Sequence, residues 1–184
     1  MIEMQSRYWN TMTQYKFELC FYNEHYKRCI IINRCITIIL AVFSSGAMAA
    51  WIAEDKIGFF CGLIIVLMQV LSVVNEFLPY KKRIQDLSEM ITKLSSIYDN
   101  MESEWFNVAS GEIENKQINE MLYSYKKKWS NATNKYLVVD SLPENEKIIS
   151  KANEDKDKYF YNMFSGDDTY ANTESESVEQ LIQT

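Results

Sequence analysis

Between Ile30 and Leu78 the chain is almost continuously apolar, in two runs separated only by Ala53-Glu54-Asp55-Lys56. The first, Ile30 to Ile52, is relieved by Asn33, Arg34, Thr37 and the Ser44-Ser45-Gly46 patch. The second, Ile57 to Leu78, is relieved by Gln69, Ser72, Asn75 and Glu76. Each run holds about 22 residues, or about 33 Å of helix, against a hydrocarbon core of about 30 Å. So short a link allows only a tight reversal, and only helices and closed barrels satisfy their backbone groups inside lipid. The pattern predicts an antiparallel two-transmembrane hairpin. The competing arrangement is a buried helical hairpin inside a bundle.

The flanking charges orient that hairpin. Lys27, Arg28 and Arg34 stand at the start of the first span and Lys81, Lys82 and Arg83 follow the second, whereas the link sets Lys56 against Glu54 and Asp55. The positive-inside rule then places the chain in the cell inner membrane as a multi-pass protein with both termini cytoplasmic. A long polar helix precedes the first span and no cleavage site follows it, so it is not a signal peptide. Cys20, Cys29, Cys35 and Cys61 lie in cytoplasm or lipid, form no CxxC pair and are expected to be reduced.

Outside the runs the chain reads as helix. Only 5 Gly and 2 Pro occur in 184 residues, too few for a sheet-rich fold. Tyr8, Met12, Tyr15, Leu19, Tyr22, Tyr26 and Cys29 recur at steps of four and three, the seam of a helix from about Gln5 to Arg28 that enters the first span directly. Beyond Pro79 the same steps link Ile84, Leu87, Ile91, Leu94, Tyr98, Met101 and Trp105. Gly111 breaks that helix, and Ile118, Leu122, Tyr125 and Trp129 mark another from about Glu112 to Ser130. A short strand over Tyr136 to Val139 and a last helix from Pro143 to about Phe164 complete the reading. The expected fold class is an all-α membrane protein, a two-transmembrane hairpin extended into a cytoplasmic helical bundle or stalk, and oligomeric. The segments are 1–28 (cytoplasmic helix), 29–53 (first span), 54–56 (outer link), 57–78 (second span), 79–164 (cytoplasmic helical domain) and 165–184, an acidic tail expected to be disordered.

Polar and small residues inside the runs mark the candidate working faces. Gly46 with Ala50, and Gly58 with Gly62, have the small-xxx-small spacing that lets helices approach closely. Thr37, Ser44, Gln69 and Ser72 are candidates for lining a pore, and equally for hydrogen-bonding between helices. Arg34 and Glu76 fall at one depth, either as a structural ion pair or as part of an aqueous path. Lys126-Lys127-Lys128, between Tyr125 and Trp129, mixes cations with ring faces and is the candidate grip on a phosphate-bearing ligand. The plainer reading is a basic helix end that suits the helix dipole or touches anionic lipid.

Catalysis finds no support. His25 is the single histidine; with Cys29 it supplies two ligands, too few for a closed metal site, so no metal is expected. No P-loop, GxGxxG or HExxH is present. The net charge of -6, with bases near the apolar runs and acid towards the C-terminus, gives no duplex-nucleic-acid profile.

Tyr8-Trp9 in the first helix, Trp51 at the outer turn, the Tyr80-Lys81-Lys82-Arg83 exit and the helix ending at Trp129 together resemble the SLATT family over about Ser6 to Phe164. The resemblance implies a two-transmembrane effector of prokaryotic conflict and antiviral systems, paired with a nucleotidyltransferase. It implies a pore that disrupts the membrane and is opened or held closed by a nucleotide or oligonucleotide messenger, with no other cofactor. One hairpin cannot enclose water, so such a pore requires a homo-oligomer, with a tetramer favoured. The alternative is a non-conducting membrane adaptor that docks a cytosolic partner through its coiled helices and acidic tail.

Overall fold

In the computed structural model the described residues are 2–44, 66, 70, 80–137, 142–143 and 145–165. They contain four long helices: α1 (Ile2–Ser44), α2 (Tyr80–Ala109), α3 (Asn115–Tyr136) and α4 (Glu146–Ser165). At 43 residues α1 is about 65 Å long, and it packs against each of the other three. The bundle is therefore organised around one strut.

The four-and-three repeat of α1 sets that role. Tyr8, Met12, Tyr15 and Leu19 are buried, while Tyr22, Tyr26 and Cys29 are half-buried at the edge of the same core. Opposite them stand Leu87, Met90, Leu94, Tyr98, Met101 and Val108 of α2, and Ile118, Leu122, Tyr125, Trp129 and Ala132 of α3. Burying one such aliphatic side chain is worth about 1.5–3 kcal/mol, so these positions dominate the stability of the bundle. Polar bonds fix the registers. The Tyr8 hydroxyl donates to the Met101 carbonyl at 2.9 Å and the Gln5 amide to the Val108 carbonyl at 2.8 Å, which makes α1 and α2 antiparallel. Trp9 packs on Trp105 of α2 and on Phe160 and Phe164 of α4, with centroids 5.1–5.4 Å apart. About four turns further along α1, Glu24 receives Lys27 at 2.7 Å and Lys151 at 3.3 Å.

The connections follow local chemistry. Gly111 has φ 78°, the left-handed conformation in which a β-carbon is costly, and its amide returns to the Val108 carbonyl to end α2. Asn145 opens α4, because its Oδ1 accepts the Lys147 amide at 3.0 Å; the helix accordingly begins at Glu146 and not at Pro143. The helix expected from Glu112 to Ser130 is shifted to Asn115–Tyr136, so Tyr136 ends a helix and does not begin a strand.

Among the described residues no helix is long and apolar enough to cross a membrane. This overturns the expected membrane-spanning fold, the multi-pass inner-membrane location, and the pore or channel that rested on them. The physical reason is visible in α1: its last 18 residues include Lys27, Arg28 and Arg34, and each mid-bilayer charge costs about 2.5–3.5 kcal/mol on insertion scales. The fold is a helical bundle with α1 running past it. Most of the second apolar run, the outer part of the first, the link and the acidic tail lie outside the described residues.

His25 is one buried polar group that the packing leaves short. It is 6% exposed, its ring meets Phe21 edge-on at 4.6 Å, and its Nε2 has no hydrogen-bond partner. Burial, then the nearby Arg28 and Arg83 charges, lower its pKa below the ordinary 6.5. The unfolded chain therefore binds a proton that the folded chain resists, and this stability is lost as pH falls below about 6.5. Thermal melts at pH 7.5 and pH 5.5 are expected to show a lower Tm at the acid end, and His25→Phe is expected to reduce that difference. Separately, Tyr8→Phe is expected to cost about 0.5–1.5 kcal/mol in urea unfolding through the lost bond to the Met101 carbonyl, and Tyr8→Ala about 3–5 kcal/mol through the added cavity.

Candidate functional site

α2 and α3 run antiparallel, with the Tyr136 hydroxyl near the end of α3 donating to Glu89 in the first half of α2 at 3.3 Å. Along their shared outer shoulder a groove of about 430 Å³ opens to solvent. Lys93, Ser96 and Ile97 line it from α2, and Lys128, Asn131, Ala132 and Lys135 from α3. Both sets have the spacing that puts residues on one helical face: three and four apart in α2, then three, four and seven apart in α3. Ala132 is buried and Ile97 half-buried, so they form the floor. Because Ala132 is small, space remains where its neighbours Trp129 and Tyr136 carry large rings.

Three ammonium groups converge on this groove from two helices. Lys93 and Lys135 lie over the Tyr136 ring, 5.3 and 4.9 Å from its centroid, and the Lys135 Nζ also donates to the Tyr136 hydroxyl at 3.4 Å. Lys128 lies over the Tyr125 ring at 5.4 Å. The Tyr136 hydroxyl is the first cause that raises the Lys93 pKa above its ordinary 10.5, so that lysine remains cationic at neutral pH. Ring faces attract each cation without neutralising it. Among the described residues none of the three forms an ion pair with a carboxylate. Ser96 and Asn131 add a hydroxyl and an amide between them. The site offers donors and positive charge to an anion, together with a ring face. It holds no nucleophile paired with a base.

The five residues singled out in sequence as a ligand grip divide here. Lys128 lines the groove; Lys126 and Lys127 are exposed but not part of its lining. Tyr125 and Trp129 turn into the core. Trp129 is 4% exposed, stacks on Tyr15 at 4.0 Å and donates through Nε1 to Glu18 at 2.6 Å. Burial, and then Glu18, push the Tyr15 phenol up to about 12. Burial likewise raises the Tyr125 phenol, with help from Glu104. Sequence reasoning missed Lys93, Ser96, Asn131 and Lys135. Their signal was the helical spacing of Lys128, Asn131 and Lys135.

Of the residues assigned to a pore, an ion pair or helix packing, Arg34, Thr37 and Ser44 are among those described. Thr37 and Arg34 are both exposed and line a second groove with Ile30, Asn33, Ile38 and Ile84, and the Thr37 hydroxyl donates to the Asn33 carbonyl at 2.8 Å. Ser44 is the last residue of α1. Gln69, Ser72, Glu76, Gly46, Ala50, Gly58 and Gly62 lie outside the described residues. Among the described residues no group of three or more His, Cys, Asp or Glu side chains is placed to hold a metal ion. No family model, curated protein or solved structure matches the chain.

The groove depends on the α1–α3 pin beneath it. Trp129→Phe keeps most of the ring area but removes a charge-assisted hydrogen bond to Glu18, and is expected to cost about 1.5–3 kcal/mol in chemical denaturation. An unchanged midpoint would show that the bond carries no weight.

Proposed function

We propose that this chain is a non-enzymatic effector whose state is set by a phosphate-bearing, nucleotide-derived ligand held between α2 and α3. In this reading the chain acts as a homo-oligomer beside a nucleotidyltransferase that makes the ligand, in the antiviral setting that the resemblance implies. The observation that carries it is the convergence of Lys93, Lys128 and Lys135 on one groove, with Ser96, Asn131 and the Tyr136 ring. Ammonium donors suit phosphate oxygens, and a cation-flanked aromatic face suits a base. The membrane-spanning pore has no part in it.

A second reading, a docking adaptor, is favoured by the distal half of α1. There Ile31, Ile32, Ile38 and Ile39 are 40–60% exposed, in two pairs seven residues apart. That spacing suits an apolar helix of a partner protein.

Fluorescence anisotropy with a labelled nucleoside triphosphate tests the first reading. Binding is expected at low salt and is expected to weaken as salt rises, because the donors are solvent-exposed. Lys93→Ala, Lys128→Ala and Lys135→Ala should each weaken it about threefold to fivefold, whereas Lys126→Ala and Lys127→Ala should not. A triple alanine variant of the groove that binds as tightly as the parent overturns the proposal.

A further inference from the structure

The groove is a cluster of cations without a carboxylate partner among the described residues, and the chain carries an opposite cluster of its own. Residues 166–184 contain Asp167, Asp168, Glu174, Glu176 and Glu179 and no lysine or arginine. We propose that this acidic segment occupies the α2–α3 groove and competes there with the phosphate-bearing ligand. The inference rests on the groove being the ligand site.

Charge complementarity selects the groove over other basic positions. On α4, Lys151 is already committed to Glu24 at 3.3 Å and Lys156 to Asp157 at 3.1 Å. Lys93 and Lys135 lie over the Tyr136 ring and Lys128 over the Tyr125 ring; the Glu89 charge reaches Lys93, but no carboxylate is ion-paired with any of the three among the described residues. Glu89, the nearest acid on α2, accepts from the Tyr136 hydroxyl and is not one of the groove's lining residues. Carboxylate and phosphate oxygens present the same chemistry to an ammonium group, so either satisfies the three donors and each excludes the other.

Reach is sufficient. α4 ends at Ser165, and Phe164 lies against Trp9, which lies against Trp105 of α2. Lys93 is 12 positions before Trp105 on that helix, so the groove is about 18 Å away along the axis. Nineteen residues in extended form span up to about 63 Å, enough to pass round one helix of about 10 Å diameter and lay the acidic positions along the groove. Tethering keeps the segment at an effective concentration in the millimolar range, so weak exposed ion pairs are enough for it to compete.

The test compares the parent chain with a full-length variant carrying Asp167→Asn, Asp168→Asn, Glu174→Gln, Glu176→Gln and Glu179→Gln. It uses the labelled nucleoside triphosphate as probe and the backbone amide NMR shifts of Ser96 and Asn131 as a readout that needs no probe. The neutralised variant is expected to bind the probe about threefold to tenfold more tightly at low salt. A peptide of residues 166–184 added in trans is expected to reverse the gain. The two amides should shift on neutralisation and return when the peptide is added. Equal probe affinity with unmoved amides overturns this inference and leaves the ligand site standing. Moved amides without probe binding by either chain uphold the acidic occupant and overturn the nucleotide reading.

Discussion

One helix has to satisfy three neighbours at once, and this constraint organises the bundle. Different faces of α1 are assigned to α2, α3 and α4, so the register of each contact constrains the other two. At each junction the register is set by a hydrogen bond or cation contact that an apolar pair would not provide. The Tyr8 hydroxyl meets the Met101 carbonyl. The Trp129 indole meets Glu18. The Lys16 ammonium lies 3.1 Å from the centre of the Tyr159 ring, whose hydroxyl donates to Glu102 at 2.6 Å. Net gains from such bonds are modest, but a one-turn slip would leave buried donors and acceptors without partners, at about 1–3 kcal/mol each. Apolar packing supplies stability here, and the polar pins decide which packing forms.

Large aromatic residues suit that division. Tyr and Trp bury a broad ring while presenting a polar atom at a defined distance, so a single side chain contributes both area and direction. Tyr15 shows the combination: it stacks nearly flat on Trp129, with 3° between the planes, and so holds the indole aimed at Glu18. Lys16 is a cation inside this arrangement. Burial lowers its pKa, and the faces of Tyr98 and Tyr159 are its compensation.

The four-and-three repeats were legible because helix periodicity projects directly onto burial. The seam read from Tyr8 to Leu19 is the buried face of α1, and Leu87, Leu94, Tyr98 and Met101 are buried in α2. Run length misled. Both the continuous helix and its bases are legible in the sequence, but Lys27, Arg28 and Arg34 read there as flanks of a span, whereas they fall within the last 18 residues of α1. The basic cluster misled for a related reason. Successive helical residues point about 100° apart, so Tyr125 to Trp129 had to divide between core and solvent. The groove is built from Lys128 and residues three and seven positions later, joined by Lys93 across a helix pair. That juxtaposition is tertiary and has no contiguous signature.

A groove of exposed lysines is a poor tight-binding site, and this bears on the role argued for it. Each exposed ion pair contributes about 0.2–1 kcal/mol and is screened by salt, so occupancy responds to concentration and exchanges quickly. A deep pocket would retain its ligand against any tethered competitor, because a carboxylate segment at millimolar effective concentration displaces only weak ligands. Shallow geometry and ring-held cations therefore suit the exchange proposed for this groove. The bundle holds the three lysines along one groove over ring faces that leave them cationic, and so open to whichever anion arrives. The α1–α3 pin at Trp129 lies one residue from Lys128 and two from Asn131, so the contact that fixes the register of α3 also fixes where those donors stand.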